Sequence, residues 1–182
     1  MSGGASKPKR LKAFPASPFV AHSLVMLESI AFRSLSWHAR KILDVLEREH
    51  MAHGGYENGK LKATRAQMKA AGVGKDSIST GLIELEALGF IQIVRQGGKS
   101  VGDVHQPNLY RLTYLKGRIP EKNGKPSARE YITDEWFDVT NEADVRRRIE
   151  ARRQRWEDEH GARVKLSRGV PAEASSIRRR VA

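Results

Sequence analysis

The stretch from Thr64 to Tyr114 constrains this chain most, because its hydrophobic period changes once and glycine punctuates the change. Thr64-Arg65-Ala66-Gln67 is a capping box, with a hydroxyl to close a helix start and a glutamine three residues on to reach back. A short helix follows through Met68, Ala70 and Ala71, and Gly72-Val73-Gly74 supplies a tight turn. A second helix is expected from Lys75 to Leu88, with Ile78, Leu82, Leu85 and Leu88 at spacings of four, three and three. Gly89 then stands where a left-handed residue ends a helix. Phe90 to Val94 and Asn108 to Tyr114 read as strands, with the polar Gly97-Gly98-Lys99-Ser100 between them.

Helix, turn, helix, strand, loop, strand is the layout of a winged helix-turn-helix domain. The expected class is α+β: a three-helix core plus a two- or three-stranded wing sheet, with a C-terminal helical extension. The scaffold helix opens at Ser36, a capping residue, buries Ala39, Ile42, Leu43 and Leu46, and ends at Gly54-Gly55. Gly59 to Ala63 supplies a short strand for the wing sheet. His22 to Ala31, with Leu24, Val25, Leu27 and Ile30, reads as a short apolar helix packed on the core. These elements place the domain at residues 17–115. Residues 116–130, with Pro120 and Pro126, read as a linker.

Residues 131–160 carry an aromatic patch, Tyr131-Ile132, Trp136-Phe137 and Val139, expected to dock, and then a helix capped by Thr140 or Asn141 and ending near Glu159. Its apolar stripe of Val145, Ile149 and Trp156 is narrow and interrupted by Arg152. Such a stripe can lie on the domain, form a homodimer with a second subunit, or stand in solvent, and the sequence does not choose.

Net charge is +12 and collects at the ends. Residues 1–16 read as a disordered arm with Lys7, Lys9, Arg10 and Lys12 and no acid; residues 161–182 read as a disordered tail with six basic side chains against Glu173. Basic ends on a near-neutral globule suit a polyanion, since each cation placed on a phosphate releases counterions. There is no cysteine, which excludes disulfides and thiolate metal sites. No apolar run approaches a membrane span, so a cytoplasmic protein without membrane contact is expected.

With Ile78 at the centre of the second helix's buried face, Asp76, Thr80, Ile83 and Ala87 fall opposite, and Ser79 lies on the flank. Lys75, Asp76, Ser77, Ser79 and Thr80 make a small, polar first turn that can enter a major groove. The same pattern also describes the solvent face of an ordinary amphipathic helix. This helix holds one lysine and no arginine, so the bidentate guanine contact is absent from it. Further phosphate or groove contacts are expected from Lys62, Thr64 and Arg65 at the first helix, from Lys60, and from Arg95, Lys99, Ser100 and His105 of the wing around 95–106.

Enzyme readings fail. Gly74-Lys75 and Gly97-Gly98-Lys99-Ser100 lack the first glycine of a phosphate loop, whose place falls on Lys69 or Ile93. His50 and His53, a turn beyond Glu47, do not match the two-histidine zinc helix. No cofactor, metal or small-molecule ligand is expected.

Phe19 to Tyr114 resembles a family of bacterial winged-helix regulators and plasmid or phage replication proteins. The resemblance rests on Leu35-Ser36 with Ala39-Arg40, on Gly72-Val73-Gly74-Lys75-Asp76-Ser77-Ile78-Ser79, and on Leu85-Glu86-Ala87-Leu88-Gly89-Phe90-Ile91. Gly74 stands where the family usually has serine, and Thr80 where it usually has a basic residue. The resemblance implies double-stranded DNA binding, with the turn after Gly74 reading bases and the wing clamping a flanking groove. Transcription regulation is the leading role. A replication initiator or an excision factor of a mobile element is the alternative, and a protein-interaction module that keeps the shape is a third.

Overall fold

The computed structural model describes residues 18–99, 105–116 and 132–167. They form a mixed α+β fold with a small antiparallel sheet. In chain order come α1 (Leu24–Glu28), α2 (Ile30–Arg33), α3 (Trp37–Ala52), β1 (Leu61–Lys62), α4 (Arg65–Ala70), α5 (Ser77–Ala87), β2 (Ile91–Arg95), β3 (Gly98–Lys99), β4 (His105–Gln106) and β5 (Leu109–Leu112). A 3-10 turn (Glu135–Asp138) and the long α6 (Glu142–Ser167) follow.

Local chemistry sets the helix ends. Ser36 accepts a hydrogen bond from the Ala39 amide at 3.2 Å, and Thr64 and Gln67 close both halves of their capping box. α4 ends with the Val73 amide on the Met68 carbonyl and Gly72 at φ +86°, a Schellman turn. α5 ends the same way, with the Phe90 amide on the Leu85 carbonyl and Gly89 at φ +79°. Gly89 is required a second time: a Cβ there would sit 2.5 Å from the Glu135 carbonyl carbon.

The core gathers Ala39, Ile42, Leu43 and Leu46 of α3, Met68 of α4, and Ile78, Leu82 and Leu85 of α5, with Phe90, Tyr110 and Leu112. α3 and α5 come together at Gly81, where a Cβ would lie 2.7 Å from Ile42 Cδ1 and 3.2 Å from the Ala39 nitrogen. The sheet order is β1-β5-β2, with Leu61 opposite Tyr110 and Ile91 opposite Leu112. A bulge between Ile93 and Arg95 precedes the β3–β4 ladder. Buried Asn58 staples the end of β5, accepting from the Leu112 amide at 2.7 Å and donating to the Leu112 and Leu115 carbonyls.

The aromatic segment docks on this core. Trp136 stacks on Phe90 with centroids 6.5 Å apart and planes 8° apart, and Val139 is buried. The Thr133 amide donates to the Thr113 carbonyl, and the buried Arg111 donates to Thr133 Oγ1 at 2.6 Å. Ile132 and Phe137 of the same patch stay exposed.

Three expectations are corrected. The 22–31 stretch is two short helices, because the Ser29 hydroxyl accepts from the Phe32 amide and starts a new one. The chain bends there, which buries Met26 and Ala31 and leaves Leu24, Val25 and Leu27 exposed. The helix expected from Lys75 begins at Ser77, since the Ser77 amide bonds back to the Gly74 carbonyl in a turn. The last helix runs on to Ser167, so 161–167 are helical where a tail was expected. The arm 1–16, the linker beyond Lys116, Tyr131, Ser100 and the tail from Arg168 lie outside the described residues.

Candidate nucleic-acid interface

The candidate residues fall on two neighbouring edges. At the first, Arg65 at the start of α4 reaches across to α5: its Nη2 lies 3.3 Å from both the Lys75 carbonyl oxygen and Ser79 Oγ. Arg65 thereby links the two helices and places a guanidinium beside the α5 start. Lys75, Asp76 and Thr80 are exposed there, and Ser77 and Ser79 are half-buried. Asp76 caps nothing with its side chain, and no acid stands in the first turn of α5. The first turn of the helix thus carries no acid of its own, with the Asp76 carboxylate at the N-cap position beside it. Thr64 is committed to the capping box, while Lys62 on β1 is exposed beside it, as is Lys60.

The second edge is the hairpin beyond the sheet. Arg95 is exposed at the end of β2, and Lys99 pairs with His105 across the β3–β4 ladder. The hairpin is pinned at its base, where the Gly97 amide donates to Asn108 Oδ1 at 2.6 Å and Asn108 Nδ2 donates to the Tyr110 hydroxyl at 3.0 Å. Between the two edges lies a cleft of about 420 Å³, lined by Arg65, Leu82, Gly98, Asn108, Trp156 and His160 among others.

The last two lining residues belong to α6, and their place there is what sequence reasoning missed. α6 lies along the outer side of α5, with Arg152 Nε on Glu86 Oε2 at 2.6 Å. Arg152 is only 5% exposed, and burial pushes the Glu86 carboxyl above its ordinary pKa even against that guanidinium. Ile83, expected on the open face, is buried at 6% exposure one turn from Glu86. Glu159 of α6 accepts from Gln96 Nε2 at the hairpin base at 3.0 Å. The other acid of α5, Glu84, accepts from the Ser36 amide at the start of α3. The apolar stripe of Val145, Ile149 and Trp156 thus faces this chain's own domain. The one available signal was Arg152, a cation set within an apolar stripe, which needs an acid opposite it.

Among the described residues no cluster of three metal-ligating side chains occurs, and no helix is long and apolar enough to cross a membrane. Glu47, the acid near His50 and His53, accepts instead from the Tyr114 hydroxyl and bonds His22 Nε2 at 2.6 Å. Compared with known proteins, the chain matches no family model, no curated protein and no solved structure.

Proposed function

We propose that this chain is a winged helix-turn-helix protein that binds double-stranded DNA with sequence preference and controls transcription. The observation that carries the reading is the Arg65 bridge to the uncapped start of α5, beside exposed Lys75, Asp76 and Thr80. A small polar helix start suits base edges and phosphate together. In this reading the β3–β4 hairpin, with Arg95 at its root, takes a flanking groove, and the basic ends of the chain add salt-sensitive affinity. With no arginine on α5, discrimination comes from Ser, Thr and Asp contacts, from bridging water and from DNA shape.

The test is selection of sheared genomic DNA on the purified protein at low and near-physiological salt, followed by sequencing. One motif recovered at both salts supports the reading, and its position separates the roles: promoters for a regulator, a repeated array at an origin or element boundary for an initiator or excision factor. Uniform recovery that vanishes with salt means that only the ends bind, and the proposal falls.

A further inference from the structure

We infer that α6 is an autoinhibitory strap, which holds the recognition surface closed until its C-terminal half lifts away; this rests on the DNA-binding reading. α6 lies between the two edges of the candidate interface. Arg152 pairs with Glu86 on α5, Glu159 takes the Gln96 amide at the hairpin base, and Trp156 with His160 lines the cleft beside Arg65. An α-helix with its side chains is about 10 Å across, so a duplex cannot reach the outer side of α5 and the hairpin together while α6 lies there. Exposed Glu157 and Asp158 add negative charge on the turn of α6 that carries Glu159.

The two ends of the strap are held differently. Its N-terminal end is anchored by Val139 and Val145, both buried in the core, and is capped by Asn141, whose Oδ1 accepts from the Asp144 amide at 2.9 Å. Beyond Ile149 the contacts to the domain are mostly polar, Arg152 with Glu86 and Glu159 with Gln96, while Arg152 and Glu159 pair with each other within α6 at 3.6 Å. Trp156 adds one half-buried ring, stacked on His160 at 4.4 Å. Arg152 also buries Nη1 without a hydrogen-bond partner. The desolvation cost of such a pair offsets most of its attraction, so these contacts add little net free energy, and in the proposal α6 bends or frays beyond Ile149 while the anchor stays.

Two full-length variants test the strap, each against a fluorescently labelled mixed-sequence duplex at near-physiological salt, with circular dichroism to confirm folding. Arg152→Glu sets like charges against Glu86 and Glu159 and lowers the net charge by two, which on bulk electrostatics weakens DNA binding. Release of the strap instead raises affinity about tenfold, because apparent Kd scales inversely with the open fraction. Gln96→Cys with Glu159→Cys places the only two thiols in the chain at the hairpin contact. Before bridging with a short thiol-reactive crosslinker this pair is expected to bind tighter than the wild type with a steeper salt dependence, and after bridging to lose that gain.

If bridged and unbridged protein bind alike and Arg152→Glu merely weakens binding, the strap is overturned and the DNA reading stands. If no form binds duplex at low or near-physiological salt, the DNA reading falls and the strap falls with it. Should Arg152→Glu fail to fold, the thiol pair alone decides, since the same molecule is read before and after bridging.

Discussion

α5 is covered on two sides by two different kinds of surface. Toward α3 it presents Ile78, Leu82 and Leu85, and Gly81 lets the two backbones approach until a single Cβ would collide. Toward α6 it presents Glu86, met by Arg152, while Val145 and Ile149 of α6 pack against the core nearby. The first contact removes apolar surface from water with no polar group to desolvate, at about 25 cal/mol per Å². The second pays for each buried charge with lost hydration, so little is left over. One helix thus has a face held by apolar packing and a face held largely by an ion pair, and recognition is proposed at its start, where Lys75, Asp76 and Thr80 are exposed.

The largest effect is expected on the side that faces α3. Leu85→Ala removes a fully buried side chain that cannot be refilled, and should destabilise the fold by about 2–5 kcal/mol, read from the denaturant midpoint. On the side that faces α6, Arg152→Ala strands Glu86. With the Glu86 side chain still 23% exposed, the cost should be on the order of 1–2 kcal/mol, below that of a fully buried pair. Replacing both partners, Glu86→Leu with Arg152→Met, should bring stability back to within about 1 kcal/mol of the wild type. A double replacement as damaging as Leu85→Ala would make the α6 contact as permanent as the α3 contact, and the contrast would be lost.

A smaller effect lies in the pH dependence of the core under α1. The hydrogen bond to Glu47 raises the His22 pKa above 6.5, with the Glu47 charge adding to it and burial opposing. A raised histidine stabilises fully below its unfolded pKa and loses that contribution as pH climbs through the folded value. His50, pushed down by burial, has the opposite sign and costs stability on the acid side. His22→Gln should therefore flatten the decline of melting temperature above pH 6.5, by under about 1 kcal/mol because the pair is partly solvated. An unchanged decline in that variant would assign it to another group.

The smallest effect on folding, and the most informative for function, is Lys75→Ala. The side chain is exposed, so stability should move by less than about 0.5 kcal/mol. Duplex affinity should fall and the salt slope should shrink by about one. Unchanged DNA binding would remove the α5 start from the interface.

Much of this molecule was readable from residues a few places apart. The capping serine at 36, the Thr64–Gln67 box, the glycine stops at 72 and 89 and the buried stripes of α3 and α5 all stand where the sequence put them. Each depends on hydrogen bonds or helical periodicity within one or two turns, and such signals are local. Which polar groups meet was set by long-range packing. Arg152 finds Glu86 across 66 positions, and Asn58 finds the end of β5 across 54. In isolation Arg152 breaks an apolar stripe and Glu86 is one more acid on a solvated face. A charge within an amphipathic pattern is compatible with solvent, a second subunit or the chain's own domain. Only the partner's position, set by how the whole chain packs, selects among them.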